Sequence, residues 1–132
     1  MTTYAEFLNG LSALSVEGVA RPFDHPPASL NASDLPAMWV QLPRGDDRPI
    51  AFQRGAYWAT LRADLVVAVA AVAQGTQEEN FAATVAMMDA VSAALRDADL
   101  SAGPQRWTIR QDVVEVAGVA YWAVVAEVEG GG

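Results

Sequence analysis

The stretch YWATLRADLVVAVAAVA, residues 57–73, constrains the fold of this chain more than any other. Tyr57, Ala59, Leu61, Ala63, Leu65, Val67 and Val69 recur at every second position, so they line one face of an extended strand. The other face starts with Trp58, Thr60, Arg62 and Asp64 and then turns apolar with Val66, Ala68 and Val72. Such a strand has one wet face in its first half and is covered on both faces in its second. No single helix or isolated hairpin can satisfy that pattern.

The remaining segments read as elements around this strand. In TYAEFLNGLSAL, residues 3–14, Tyr4, Phe7, Leu8, Leu11 and Leu14 form an apolar helical stripe, and Thr3 with Glu6 has capping-box spacing. Residues 16–34 carry three prolines and few apolar side chains, which predicts a long connecting arm. Asp-Leu-Pro at 34–36 closes the arm, because proline suits the start of a strand and pushes Leu35 towards an extended conformation. AMWVQL, residues 37–42, is the expected strand, followed by PRGDDRP as a polar turn-rich loop, a short strand IAFQ and a turn at Arg54-Gly55. Thr76 and Glu79 have capping-box spacing at the start of a second helix. Its expected core face is Phe81, Val85, Met88, Ser92 and Leu95, set against Leu61, Leu65 and Val67. Two strands, residues 105–116 and 119–128, turn at Ala117-Gly118, and residues 129–132 read as a frayed tail. The order predicts one domain over residues 1–132 of the α+β class: a mostly antiparallel mixed sheet of about five strands with two main helices packed on it.

Composition narrows the function. The chain has no cysteine and one histidine, His25, in a proline-rich segment. This removes disulfides, thiol nucleophiles and thiolate metal sites, and leaves no catalytic residue, cofactor site or metal site to name. The expectation is therefore a protein that is not an enzyme. Asp46-Asp47 between Arg44 and Arg48 could hold a divalent cation, but the composition reads first as a solvated turn. The formal net charge is −8, with no basic stripe to neutralise phosphates, so specific nucleic-acid binding is not expected. No run of about 18 apolar residues occurs, so no membrane partner is expected. The tryptophans beside arginines have the composition of interface hot spots, Trp58 with Arg62 on one polar face and Trp107 beside Arg106 and Arg110. Phe23 and His25 on the arm, the charged loop with Arg44, Asp46, Asp47 and Arg48, the turn residue Arg54, and Trp58 with Arg62 are the candidate interface residues.

Read together, V-E-G-V, the P-P-A-S-L lead-in, D-L-P-A, TQEENFAATVAMMDAVSAAL and V-A-G-V-A-Y-W resemble the tail terminator and head–tail neck proteins of long-tailed bacteriophages. The likeness spans nearly the whole chain and rests on element order and these local phrases. The resemblance implies a virion protein, assembled in the host cytoplasm as a homo-oligomeric ring, usually a hexamer, that caps the tail tube. Its partners would be copies of itself, the tail tube protein and a neck or head-completion protein, with genomic DNA passing through the lumen without specific binding. The acidic balance fits a bore that repels DNA in transit. Two other readings stay open: a connector ring beneath the portal, and a small dimeric α+β module that binds a ligand.

Overall fold

In the computed structural model, residues 3–49, 57–98 and 105–131 are described. The expected strand IAFQ and Arg54 lie outside the described residues, and of Tyr57 and Trp58 only the backbone is described. The elements are α1 (Tyr4–Ser12), β1 (Arg21–Pro22), β2 (Ala37–Pro49), β3 (Tyr57–Ala71), α2 (Gln77–Arg96), β4 (Arg106–Val116) and β5 (Val119–Gly131). One five-stranded sheet runs β1-β2-β3-β5-β4, antiparallel except for the short parallel β1–β2 pair. The predicted α+β class with a mixed sheet and two helices is the observed one.

The alternation of β3 decides the layers. Ala59, Leu61, Ala63, Leu65, Val67 and Val69 enter a core that also holds Phe7 and Leu11 of α1 and Met87, Val91 and Leu95 of α2. Both helices therefore cover one face of the sheet. Val66 and Ala68 point the other way, into a second cluster with Trp39, Tyr121, Ala123 and Val125. That cluster is capped by Phe23, Leu30 and Leu35 rather than by a helix. Apolar packing on two sides at one end, and on one side at the other, is what the residue pattern demanded.

Residues 16–34 form the expected connecting arm, but it is held against the domain's own core. Val16 is buried in the helix-side core, and β1 pairs Arg21 and Pro22 with Ala37 and Met38. The Phe23 amide donates to the Met38 carbonyl at 2.7 Å. Asp34 is buried, with its carboxylate accepting from the Asn31 amide at 2.9 Å and from Arg21 at 3.1 Å. Proline count alone suggested a loose connection. The few apolar residues, placed where the chain rounds the β2 edge, are enough to strap it to both faces.

PRGDDRP is also not a loop. β2 runs unbroken to Pro49, pairing Arg44 with Arg62, Asp46 with Thr60 and Arg48 with Trp58 after a bulge between Gln41 and Arg44. Leu42, at the bulge, has φ 53° and is exposed. The bulge absorbs Pro43, whose missing N–H would otherwise break the ladder. Gly45 is required by a close approach: a Cβ there would overlap the Tyr4 hydroxyl and lie 2.5 Å from the Thr60 carbonyl oxygen. Gly45→Ala is expected to lower stability by about 1–3 kcal/mol. An unchanged urea midpoint and slope would show that α1 does not sit against this strand.

The second helix keeps its expected cap, with Thr76 accepting from the Glu79 amide at 3.1 Å, but its buried stripe is Asn80, Thr84, Met87, Val91 and Leu95. Of the expected face, Leu95 is buried and Met88 half-buried, while Phe81 is 57% and Val85 40% exposed. The reason lies in the turn. Gly75 takes φ 73°, and Asn80 Nδ2 donates to the Gln74 carbonyl at 2.8 Å, anchoring the first turn of the helix to the turn that precedes it. Thr84 in turn donates to the Asn80 carbonyl at 2.6 Å, so both buried polar side chains are satisfied. The polar anchor fits this rotation of the helix, which leaves Phe81 and Val85 of the expected stripe outside while Leu95 stays buried.

The hairpin turn falls at Ala117-Gly118 as expected, with φ 52° and 79°. The glycine-rich end is not frayed over the described residues: Glu129, Gly130 and Gly131 pair with Arg62, Leu61 and Thr60 in β3.

Candidate interaction surface

The half of the sheet that the arm leaves uncovered, on the face away from the helices, carries a lattice of opposite charges. Strand alternation builds it, since Arg44, Asp46 and Arg48 of β2, Thr60, Arg62 and Asp64 of β3, Glu127 and Glu129 of β5, and Arg106, Thr108, Arg110 and Asp112 of β4 occupy every second position. Arg62 pairs with Asp46 at 2.9 Å and with Glu129 at 3.5 Å. Arg44 reaches the buried Asp64 at 3.2 Å. Arg110 bridges Glu127 at 3.1 Å and Asp112 at 3.3 Å. The Asp46 carboxylate, then Glu129, hold the Arg62 guanidinium more firmly protonated than usual. Most of these groups are exposed, so each pair contributes little to stability alone. Their effect is to hold long side chains in a fixed pattern.

The sequence-predicted residues divide as follows. Arg44, Asp46, Arg48 and Arg62 come together on this face, with Trp58 paired to Arg48 through the backbone. Asp47 pairs with Ala59 and points to the helix side, so the adjacent aspartates cannot share a cation. Among the described residues no cluster of three His, Asp or Glu has metal-binding geometry. Phe23 is half-buried beneath the Arg21 guanidinium, 4.7 Å from the ring centroid, and serves the domain's own second core. His25 is exposed and bonded to Asp24, whose carboxyl it holds below the ordinary range. Sequence reasoning left Glu127, Glu129 and Asp112 out of the surface and set Arg106 and Arg110 aside beside Trp107. Their period-two spacing was visible, but the partner strand that completes the lattice was hidden in a segment read as a loop.

A second surface lies on the helix side at the β4 margin. Phe81, Gln77 and Glu78 of α2 with Gln111 and Trp122 line an open groove of about 670 Å³. Val113, opposite Trp122 in the hairpin, is 45% exposed beside it. Exposed large apolar residues concentrated in one place mark contact surfaces more often than lone ones do.

Asp34 offers a test of the arm's attachment. The Asn31 amide first, and then Arg21, hold its carboxyl below the usual value against the opposing effect of burial. A carboxylate with a depressed folded-state pKa stabilises above its unfolded value and loses that contribution as pH falls. The arm should therefore loosen below about pH 4. Asp34→Asn should flatten that acid limb of a stability–pH curve, and an unaltered limb would mean the carboxylate does not hold the arm.

No protein-family model matches the chain, and no curated protein is a significant match.

Proposed function

We propose that this chain is a structural virion subunit, a tail terminator that assembles as a ring at the head-proximal end of a phage tail tube. The observation that carries this reading is a sheet with two different uncovered margins. Among the described residues β4 has a strand neighbour on one side only, and β2 beyond Met38 likewise. Unlike margins on one rigid unit suit head-to-tail contacts, which close into rings when the rotation allows. The net charge of −8, multiplied around a ring, favours a passage that DNA crosses without sticking. The resemblance in element order and local phrases supports the tail-side position, and a connector beneath the portal would use the same margins. Catalysis plays no part in this role.

Deleting the gene from the replicon that carries it provides the test. Unjoined heads and tails, or tails of uncontrolled length, are the expected particles. Normal virions would overturn the reading, as would a soluble dimer holding a small molecule in the Phe81–Trp122 groove.

A further inference from the structure

We infer that the two uncovered margins pair with each other between copies of this chain, β4 of one copy lying antiparallel to residues 41–49 of β2 in the next. Arg110 would stand opposite Asp46 of the next copy, and Asp112 opposite its Arg44. The inference rests on the self-assembly reading above and names its contact.

Direction comes first. β2 is antiparallel to β3, β3 to β5 and β5 to β4, so β2 and β4 run in opposite senses. A second copy placed beyond β4 in the same orientation therefore presents β2 antiparallel to it, with both helix layers on the same side. β1 blocks only the Ala37–Met38 end of the β2 margin, and at this register β4 finishes, at Val116, just short of it.

Charge then selects the register. Keeping the helix-free faces continuous allows only shifts by two residues, the side-chain period of a strand. In the register named, two opposite-charge pairs form and Arg48 meets Thr108. One step in one direction sets Asp46 against Asp112 and Arg48 against Arg110. One step in the other sets Arg44 against Arg110 and Arg48 against Arg106. Like charges directly opposite are destabilising, so both neighbouring registers are disfavoured. The selected pairs extend the existing lattice across the seam, since Asp46 already binds Arg62 and Arg110 already binds Glu127.

The helix side agrees. Gly45, over which Tyr4 lies, falls opposite Gln111, which lines the Phe81–Trp122 groove. Tyr4 of the next copy is thus carried towards that groove, where it would cover Phe81. A two-fold β4–β4 contact centred on Gln111 also pairs Arg110 with Asp112, but it leaves the β2 margin open and the Tyr4 side unmatched.

The absence of cysteine permits a direct test on the full chain. Arg48→Cys and Thr108→Cys variants are mixed and mildly oxidised, alone and with tail tubes. The expected result is a disulfide-linked pair containing one of each variant, and a ladder of larger species from the double variant. Either variant alone should stay unlinked. Monomer only in the mixture, or dimers from Gln111→Cys alone, would overturn the inference. Rings in micrographs of a mixture that does not cross-link would overturn this contact and leave the assembly reading standing. Cross-linked ladders from a gene whose deletion leaves virions intact would support the contact and remove the terminator role.

Discussion

Replacing Phe7 by Ala is expected to remove about 3–5 kcal/mol of unfolding free energy, while the same change at Phe81 removes about 0.5 kcal/mol or less. Both phenylalanines sit on amphipathic helices, and hydropathy alone ranks them equally. Phe7 is 1% exposed, inside the cluster that joins α1 to β2 and β3, so truncation leaves a cavity in that core. Phe81 is 57% exposed and loses little contact within its own domain. Urea unfolding of the two variants at low concentration measures the contrast. Similar losses would mean that α2 is rotated from the orientation described. A large loss at Phe81 that appears only as protein concentration rises would instead locate it in an interface, as the β4–β2 contact requires.

Trp39→Ala is expected to have an effect of the same order, about 3–5 kcal/mol, with a distinctive local signature. Trp39 is 2% exposed at the centre of the second cluster, and its indole N–H donates to Gln41 at 2.8 Å. It is the largest member of the cluster against which Phe23, Leu30 and Leu35 pack. Without it the arm keeps its backbone bonds from Ala20 and Arg21 to Pro36 and from Phe23 to Met38, but loses the apolar surface beneath. Amide exchange should therefore rise first at Ala20, Arg21 and Phe23, ahead of the β3–β5 ladder. Equal protection of those amides in wild type and variant would show that the strap is held by its backbone and the Arg21–Asp34 pair rather than by packing.

The arm also shows why composition misleads about attachment. Three prolines and many small polar residues describe a segment without regular structure, and that description is correct. Whether such a segment swings free depends on a handful of side chains, here Val16, Phe23 and Leu30 packing against strands farther along the chain, and Asp34 closing on Arg21 within the arm. PRGDDRP teaches the converse. Proline, glycine and paired aspartates are turn formers in isolation, yet a bulge at Leu42-Pro43 and a long partner strand hold them extended. Of the candidate interface residues, the alternation in β3 places Arg62 on the helix-free face, and Arg44, Asp46 and Arg48 join it there only because their segment is a strand and not a loop, while Asp47 points to the helix side.

Local periodicity determined the two helices, the long strand β3 with its two-sided burial, the Thr3 and Thr76 caps and the hairpin at Ala117-Gly118, because each depends on neighbours within a few residues. Tertiary structure alone decided the rotation of α2, the strapping of the arm and the joining of four strands' charges into one face. Those outcomes turn on side-chain contacts that periodicity does not encode, whether short-range, as Asn80 reaching back to the Gln74 carbonyl across a tight turn, or long-range, as Arg62 with Asp46 and Glu129 across three strands. Phe81 and Val85 stay outside because the buried Asn80 amide is satisfied at the Gln74 carbonyl.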